Sequence, residues 1–449
     1  MKDFTVGKEA KLILQFSVPL VLGNIFQNLY NVVDSIIVGR FLGKEALGAV
    51  GASFPIIFLL ISMVIGVGSG ASTVVSQYFG AKKIKEVKRT IDTIFVFFLG
   101  SSILITILGI SFSEEIFKLL GLPADILPHA VRYLNVYMLG MFFFFGFSGI
   151  SSILRGLGDA KTPMYFMIIA TINNVIFDLL FVVVFKWGIQ GAAYATIISE
   201  GGAFITAAYY LSKKHPIINL SWRKYIFDRD IFRSCIRIGL PTGFQQSFVA
   251  FGMMAIMSIV NGFGTNAVAA YSAAMRIDSF VKMPAITFSS ALSTFVGQNL
   301  GAFEERRAKT GLRATLLFST IYCILVSLLI IIFGKHIMLL FTSDPAVIKI
   351  GQGYLVIVSS FYLLFSVMFT FTGFLRGAGA TLIPMIATFT ALYIVRIPAA
   401  VFFSGIIGVN GIWWGEPMGT FVGMLILLVY YRSGKWKGKV VVRKNKGDK

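Results

Sequence analysis

From Ala46 to Ala81 the chain has no aspartate, glutamate, lysine or arginine, and the same is true from Ile238 to Met275. Shorter uncharged runs cover Thr93–Ser113, Ala314–Gly334, Ile350–Leu375 and Gly377–Val395. A helix needs only ~20 apolar residues to cross a bilayer. Barrel strands would instead read as alternating segments of ~10 residues, which these unbroken runs do not resemble. With 13% charged residues, the chain has about half the usual share for a soluble protein, roughly 25%. The mean hydropathy is +0.82. Lipid must therefore cover most of the surface, and the fold class expected is all-α, a polytopic membrane protein.

The runs resolve into twelve expected helices, near 12–40, 46–79, 90–112, 128–154, 162–186, 189–212, 230–260, 267–300, 311–334, 348–375, 380–404 and 410–432. An even number puts both termini on one side. On that side fall thirty lysines and arginines, against seven on the other. The positive-inside rule then places both termini in the cytoplasm, in the inner (cell) membrane. The N-terminal MKDFTVGKEAK leads into a long apolar segment that contains Asp34, unlike a cleavable signal, so the first helix is expected to be retained. The net charge of +20 is read as a topology signal and a contact for anionic lipid, not as nucleic-acid binding.

The chain repeats itself at about 221 residues, a period long enough to mark two homologous halves. Ser76-Gln77-Tyr78-Phe79-Gly80-Ala81 aligns with Gly297-Gln298-Asn299-Leu300-Gly301-Ala302, and Leu154-Arg155-Gly156 with Leu375-Arg376-Gly377. Pro163 matches Pro384, Gly43 matches Gly264, and Pro19 matches Pro241 one residue further on. Six helices per half give both halves the same orientation, hence a pseudo-two-fold axis along the membrane normal. The expected organisation is an N-lobe of residues 1–215, a cytoplasmic linker 216–229, and a C-lobe 230–449 with a basic tail.

Acids inside apolar segments carry the functional signal, since a charge at mid-membrane costs at least ~2.5–3.5 kcal/mol on insertion scales. They are Asp34, Asp178, Glu200 and Glu416, with Asp278 at the edge of a run. Counted from the expected helix ends, Asp34, Asp178 and Thr196 all fall ~9–12 Å below the outer surface at the helical rise. Asn174 shares a helix face with Asp178, Tyr30 with Asp34, and Glu200 with Thr196, each pair being four residues apart. Such a group can hold a proton or a Na⁺, or simply cross-link helices by hydrogen bonds. The second half carries the scaffold without these acids: Asp34 aligns with Ala255 and Asp178 with Ala399. Glu416 either lines a cavity of the second half or caps a segment near Pro417. Asp278 with Arg276 and Lys282 reads as a structural charge cluster. Pro19, in the first helix with Asp34, frees a carbonyl and permits a kink. Phenylalanine is abundant, at 44 residues. Some of these, with Met164, Met167, Met253 and Met254, suit an adaptable cavity for flat lipophilic cations.

Other chemistries lack their residues. Gly156-Leu157-Gly158-Asp159-Ala160-Lys161-Thr162 is the nearest approach to a phosphate-binding loop, but it has Ala160 where a glycine belongs and lies between helices. There is no ATPase domain, no hydrolase arrangement, and no zinc spacing among Cys235, Cys323, His129, His215 and His336. The two cysteines read as buried free thiols. No cofactor is expected apart from a coupling ion, H⁺ or Na⁺, and the chain is not expected to be an enzyme.

The layout resembles the multidrug and toxic compound extrusion (MATE) transporters along essentially the whole chain. The resemblance rests on Pro19 and Tyr30-Asn31-Val32-Val33-Asp34-Ser35 with Gly39 in the first helix. It rests also on Leu154-Arg155-Gly156 with Gly158-Asp159-Ala160-Lys161-Thr162-Pro163, and on Asn174, Asp178 and Thr196. The last three look like the N-lobe cation site of the DinF-like prokaryotic branch. The resemblance implies an antiporter that exports lipophilic or cationic small molecules for H⁺ or Na⁺ by alternating access. On that reading Asp34 and Asp178 bind the coupling ion, which would include Na⁺, assisted by Asn174, Thr196 and Tyr30. The NorM-like branch places acids in helices 7 and 10, whereas here helix 7 offers Gln245 and Gln246 and helix 10 offers none. Substrate-cavity or gating roles are assigned to Pro19, Glu200, Gln245, Gln246, Asp278, Glu416, Met164 and Met167. The partners expected are small-molecule substrates and the lipid bilayer, with the chain acting as a monomer. The alternatives are a lipid-linked oligosaccharide flippase and a non-transporting receptor or scaffold.

Overall fold

The first break in the chain falls at a glycine. A helical run over Glu9–Gly80 is interrupted at Gly43, with φ 85° and ψ −174°, which divides it into α1 (Glu9–Gly43) and α2 (Gly48–Gly80). Only glycine adopts such angles without strain. Gly264 repeats them at φ 86° and ψ 176°, immediately before the helix Thr265–Gly301. Lys82 and Phe303, 221 residues apart, are both left-handed at φ 58° and 62°. The repeat read in the sequence is thus a repeat of backbone conformation.

The computed structural model describes all residues except 120, 124, 215, 216, 218–224 and 443–449, and it leaves out the side chains of 44, 45, 47 and 214. Most of the expected linker 216–229, His215 and the end of the basic tail lie outside the described residues. After α2 come α3 (Ile84–Ser111), α4 (Leu127–Leu139 and Met141–Gly156, bent by 50°), α5 (Lys161–Val184) and α6 (Gly188–Lys214). The second half repeats this order. Its members are α7 (Arg229–Asn261), α8 (Thr265–Gly301), α9 (Glu305–Leu339), α10 (Pro345–Ser359 and Tyr362–Gly377, bent by 52°), α11 (Leu382–Ile407) and α12 (Val409–Arg432). The twelve expected helices are therefore present, with two features that hydropathy did not show. The fourth and tenth bend in the middle. The fifth and eleventh contain π-helical stretches, at Leu179–Val184 and Thr390–Arg396. Among the described residues, eight helices, or ten with each bent pair as one span, are long and apolar enough to cross a membrane. The other two, α6 and α8, are equally long and more polar, carrying Thr196 and Glu200 in one and Asp278 and Lys282 in the other. There is no β-strand among the described residues.

Burial is inverted relative to a soluble protein. Leu325, Leu328, Leu329 and Ile332 of α9 are each more than half exposed, while Gln77, Asn174, Asp178, Gln298 and Asn299 are 0% exposed. Only a hydrocarbon solvent makes that arrangement favourable.

The chain divides into two compact units, one of residues 18–239 with Met1–Lys2, the other of Asp3–Ser17 with Leu240–Lys449. The changeover points, Ser17/Val18 and Gly239/Leu240, directly precede Pro19 and Pro241. In the first unit α3 packs on α4, α4 on α6, and α5 on α6; in the second α9 packs on α10, α10 on α12, and α11 on α12.

Small residues set the closest approaches, and they repeat too. A methyl group on Gly156 would lie 2.7 Å from the Ser72 carbonyl oxygen and 3.0 Å from Val75 Cβ. One on Gly377 would collide with the Ser293 carbonyl and lie 2.9 Å from Val296 Cβ. One contact is mirrored with the roles exchanged. In the first unit Gly68 faces the Ser152 hydroxyl; in the second Gly373 faces the Ser289 hydroxyl, and a methyl group on either glycine would lie 2.6 Å from that oxygen.

The N-terminal segment is fixed within the second unit. Phe4, 1% exposed, packs edge-on against Phe16 and tilted against Phe295. Its N–H donates to Gln298 Oε1 at 2.9 Å, and its carbonyl accepts from Asn299 Nδ2 at 3.2 Å. Arg307 donates to the carbonyls of Phe4 and Gly7 and pairs with Glu9 at 3.2 Å.

Candidate ion and substrate site

Three helices of the first unit bring the predicted residues together. From α1 come Tyr30 and Asp34, from α5 Asn174 and Asp178, and from α6 Thr196 and Glu200. The Tyr30 phenol donates to the Thr196 hydroxyl at 2.9 Å, and Thr196 in turn donates to the Ala192 carbonyl at 3.2 Å. The carboxyl groups of Asp34 and Asp178 face each other within interaction range. Asn174 and Asp178 are 0% exposed and Thr196 3%. From α4 come two residues that sequence reasoning missed, Tyr133 and Tyr137, with ring centroids 6.1 Å apart. Tyr133 lies within electrostatic reach of Asp34, Asp178 and Glu200, and Tyr137 of Glu200 and Asp34. The available signal was a pair of tyrosines four residues apart, hence on one helix face.

The polar atoms at the centre of this group lack protein partners. Asp34 Oδ1, both oxygens of Asp178 and both amide atoms of Asn174 are buried without a hydrogen bond. An unsatisfied buried polar group costs ~1–3 kcal/mol, and here five such atoms converge. Four are carboxylate or amide oxygens, the hard donor set that suits H⁺ or a small oxygen-loving cation. The residues present fit such an ion. A π-helical stretch begins at Leu179, directly after Asp178. The extra residue per turn re-aims the side chains around it, a device frequent at functional sites.

The second unit carries a different group. Lys282 of α8 pairs with Asp278 at 2.7 Å and also with Glu416 of α12, whose other oxygen accepts from Arg396 of α11 at 2.9 Å. Tyr362 donates to Asp278 at 2.7 Å, and Lys282 Nζ sits 5.1 Å from the Phe365 ring centroid. The four charged side chains are 8–13% exposed. Their formal charges cancel, which is what allows them to stay buried. The expected cluster is corrected in its membership. Arg276 is exposed and has no part in it, whereas Glu416 and Arg396 belong to it. Glu416 is an ion-paired member of the group.

The remaining candidates are placed as follows. Gln245 is buried and donates to the Thr388 hydroxyl at 2.7 Å, so it ties α7 to α11; Gln246, beside it, is half-buried. Met164 and Met167 of α5 are half-buried, Met164 facing Gly23 of α1 and Met167 packing on the core around Ile150 and Phe166. Met253 and Met254 are 40% and 50% exposed. Pro19 is buried, and α1 continues through it, with Gly43 as its non-helical point. Cys235 and Cys323 are buried free thiols.

Two six-helix repeats with polar and charged side chains buried among membrane-spanning helices define a transporter built from internal repeats. The MatE family model matches residues 19–180 and 241–402, once per repeat, and the chain belongs to the MatE transporter family. It is 35% identical over 441 residues to the probable multidrug resistance protein YpnP of Bacillus subtilis (strain 168), covering 97% of each chain. It is 33% identical over 437 residues to the probable multidrug resistance protein YoeA of the same organism, covering 95% and 94%. Among solved structures it is similar to the outward-facing conformation of a multidrug resistance MATE family transporter of the MOP superfamily. That match has a TM-score of 0.91 and 25% identity, and it covers 97% of this chain and 98% of the other.

Proposed function

We propose that the chain is a secondary antiporter of the multidrug-efflux type, which exports lipophilic or cationic small organic molecules in exchange for H⁺ or Na⁺. The observation that carries the reading is the set of orphaned atoms on Asp34, Asn174 and Asp178. A carboxylate pair with no protein donor is stable in a membrane interior only when a proton or a cation is shared between its members. Binding and release of that ion change the charge buried in the first unit, and alternating access follows if the two charge states favour different shapes of the protein. Asp34 and Asp178 hold the ion, Asn174 and Thr196 complete its oxygen shell, and Tyr30 fixes Thr196. Tyr133, Tyr137 and Glu200 supply the polar wall around it.

Pro19 lies in the same helix as Asp34 and supplies no backbone N–H to the helical ladder. Bending there in one charge state, with Met164 and Met167 lining the adjacent surface, would alter the space open to substrate. The protein works as a monomer in the inner membrane with both termini in the cytoplasm, where the excess of basic residues lies.

The test is dye efflux in proteoliposomes under an imposed pH or Na⁺ gradient. Efflux driven by one gradient and lost on its collapse supports the reading. Equal dye movement with and without both gradients would remove antiport and leave facilitated diffusion.

A further inference from the structure

The two charged groups occupy equivalent places in their units. Gly191 of α6 approaches the Phe181 carbonyl of α5, and Gly411 of α12 approaches the Phe403 carbonyl of α11. Measured from those contacts, Asn174 and Arg396 both stand seven residues before the phenylalanine, and Thr196 and Glu416 both stand five after the glycine. Tyr133 and Tyr354 correspond through the 221-residue offset of α4 and α10. Asn174 and Thr196 of the first unit thus become an Arg396–Glu416 ion pair in the second. The two aspartates become apolar: Asp178 corresponds to Ala400, and Asp34 to the Ala255–Ile256 pair.

Charge enters the second group from a different helix. Asp278 and Lys282 come from α8, and their counterparts in α2 are apolar, at Ile57 and Ile61. The lysine ammonium touches the carboxylates of both Asp278 and Glu416. It is a monovalent cation held between two carboxylates, in the unit where the orphaned acids of the other are missing. Without it, Asp278 and Glu416 face one remaining cation, Arg396, and the buried group carries a net negative charge.

We propose that Lys282 is a tethered cation: it fills in the second unit the place that a coupling ion takes in the first, and so restricts ion coupling to one site per chain. This rests on the reading of Asp34 and Asp178 as that first site. Lys282 is a positioning residue, since it acts by denying Asp278 and Glu416 to a mobile ion. A ligand free to enter there must be a small monovalent cation, because the space vacated is that of an ammonium.

The experiment measures equilibrium ²²Na⁺ binding to the purified full chain. Lys282→Ala and Lys282→Met, the latter preserving side-chain volume, should each bind one more Na⁺ per protein than wild type. Adding Glu416→Gln should abolish that extra ion, and Lys282→Arg should bind no more than wild type. Asp34→Asn in the Lys282→Ala background should leave the extra ion in place. If wild type binds no Na⁺ and Lys282→Ala binds one, the inference stands, and Na⁺ is not the ion of the first unit. Equal Na⁺ counts in wild type and both lysine variants would overturn it. So would aggregation of both variants whether or not Na⁺ is present, which would make Lys282 a structural counter-ion only.

Discussion

The phenol of Tyr30 in α1 donates to the hydroxyl of Thr196 in α6 at 2.9 Å, a bond between residues 166 positions apart that joins the helix bearing Asp34 to the helix bearing Glu200. Thr196 cannot turn its donor toward Tyr30, because that hydrogen is directed at the Ala192 carbonyl. The bond therefore leaves a lone pair of Thr196 aimed by α1. Tyr30→Phe removes one hydrogen bond worth ~1 kcal/mol and should weaken coupling-ion affinity several-fold while leaving the amount of folded protein unchanged. Ion-concentration dependence of dye efflux reads the first, and size-exclusion profiles the second. An unchanged half-saturation would remove Tyr30 from the site.

Asp34→Asn and Asp178→Asn should each reduce gradient-driven efflux at least tenfold with normal membrane insertion. An amide keeps the size and hydrogen-bonding capacity of the acid but cannot alternate between charged and neutral states, the alternation that links ion to substrate. Both variants are compared in proteoliposomes at equal protein density. Full efflux by both would mean that the acids serve as helix cross-links.

The exchanged glycine and serine pairs make a packing prediction. Gly68→Ser alone places a side chain 2.6 Å from the Ser152 hydroxyl, an overpacking that should cost ~1–3 kcal/mol. Gly68→Ser with Ser152→Gly rebuilds the arrangement of Ser289 and Gly373 and should recover most of the loss. Thermal unfolding of the two single variants and the double gives the coupling energy between the sites. Additive effects would show that the mirrored contact is incidental.

Arg307 holds the N-terminal segment by bonds to the Phe4 and Gly7 carbonyls and the Glu9 carboxylate. Hydrogen bonds from a charged donor contribute ~1.5–3 kcal/mol, so Arg307→Ala should free the segment without unfolding the helices. Limited trypsin digestion of membranes should then cleave faster after Lys8 and Lys11, by an order of magnitude or more. Cleavage at the wild-type rate would show that Phe4 alone, packed against Phe16 and Phe295, is enough.

The spans, the repeat and the candidate acids were legible in the chain itself. A bilayer imposes one dominant rule, that long uncharged segments become helices with every backbone group paired internally, and this rule acts locally along the sequence. Positions four residues apart also have to share a helix face, which groups Tyr30 with Asp34 and Asn174 with Asp178. Tyr133 and Tyr137 were missed because their segment has no acid to mark it. Their part in the site comes from the way the first segment of α4, before its bend, lies against α6.

Which charges meet was decided by tertiary structure. Asp278, Lys282, Arg396 and Glu416 stand on three helices, and sequence proximity groups Asp278 with Arg276 and Lys282, of which Lys282 pairs with it. Arg276 instead points to the exterior, and Arg396, beyond the reach of any local pattern, pairs with Glu416 at 2.9 Å. Sequence determines what each helix can carry. Helix rotation and close approach, set here by contacts such as Gly191 on Phe181 and Gly411 on Phe403, determine which of those groups share a low-dielectric interior. There a charge must find a partner or be neutralised, and so one unit keeps orphaned carboxylates while its repeat holds a closed ion-pair group.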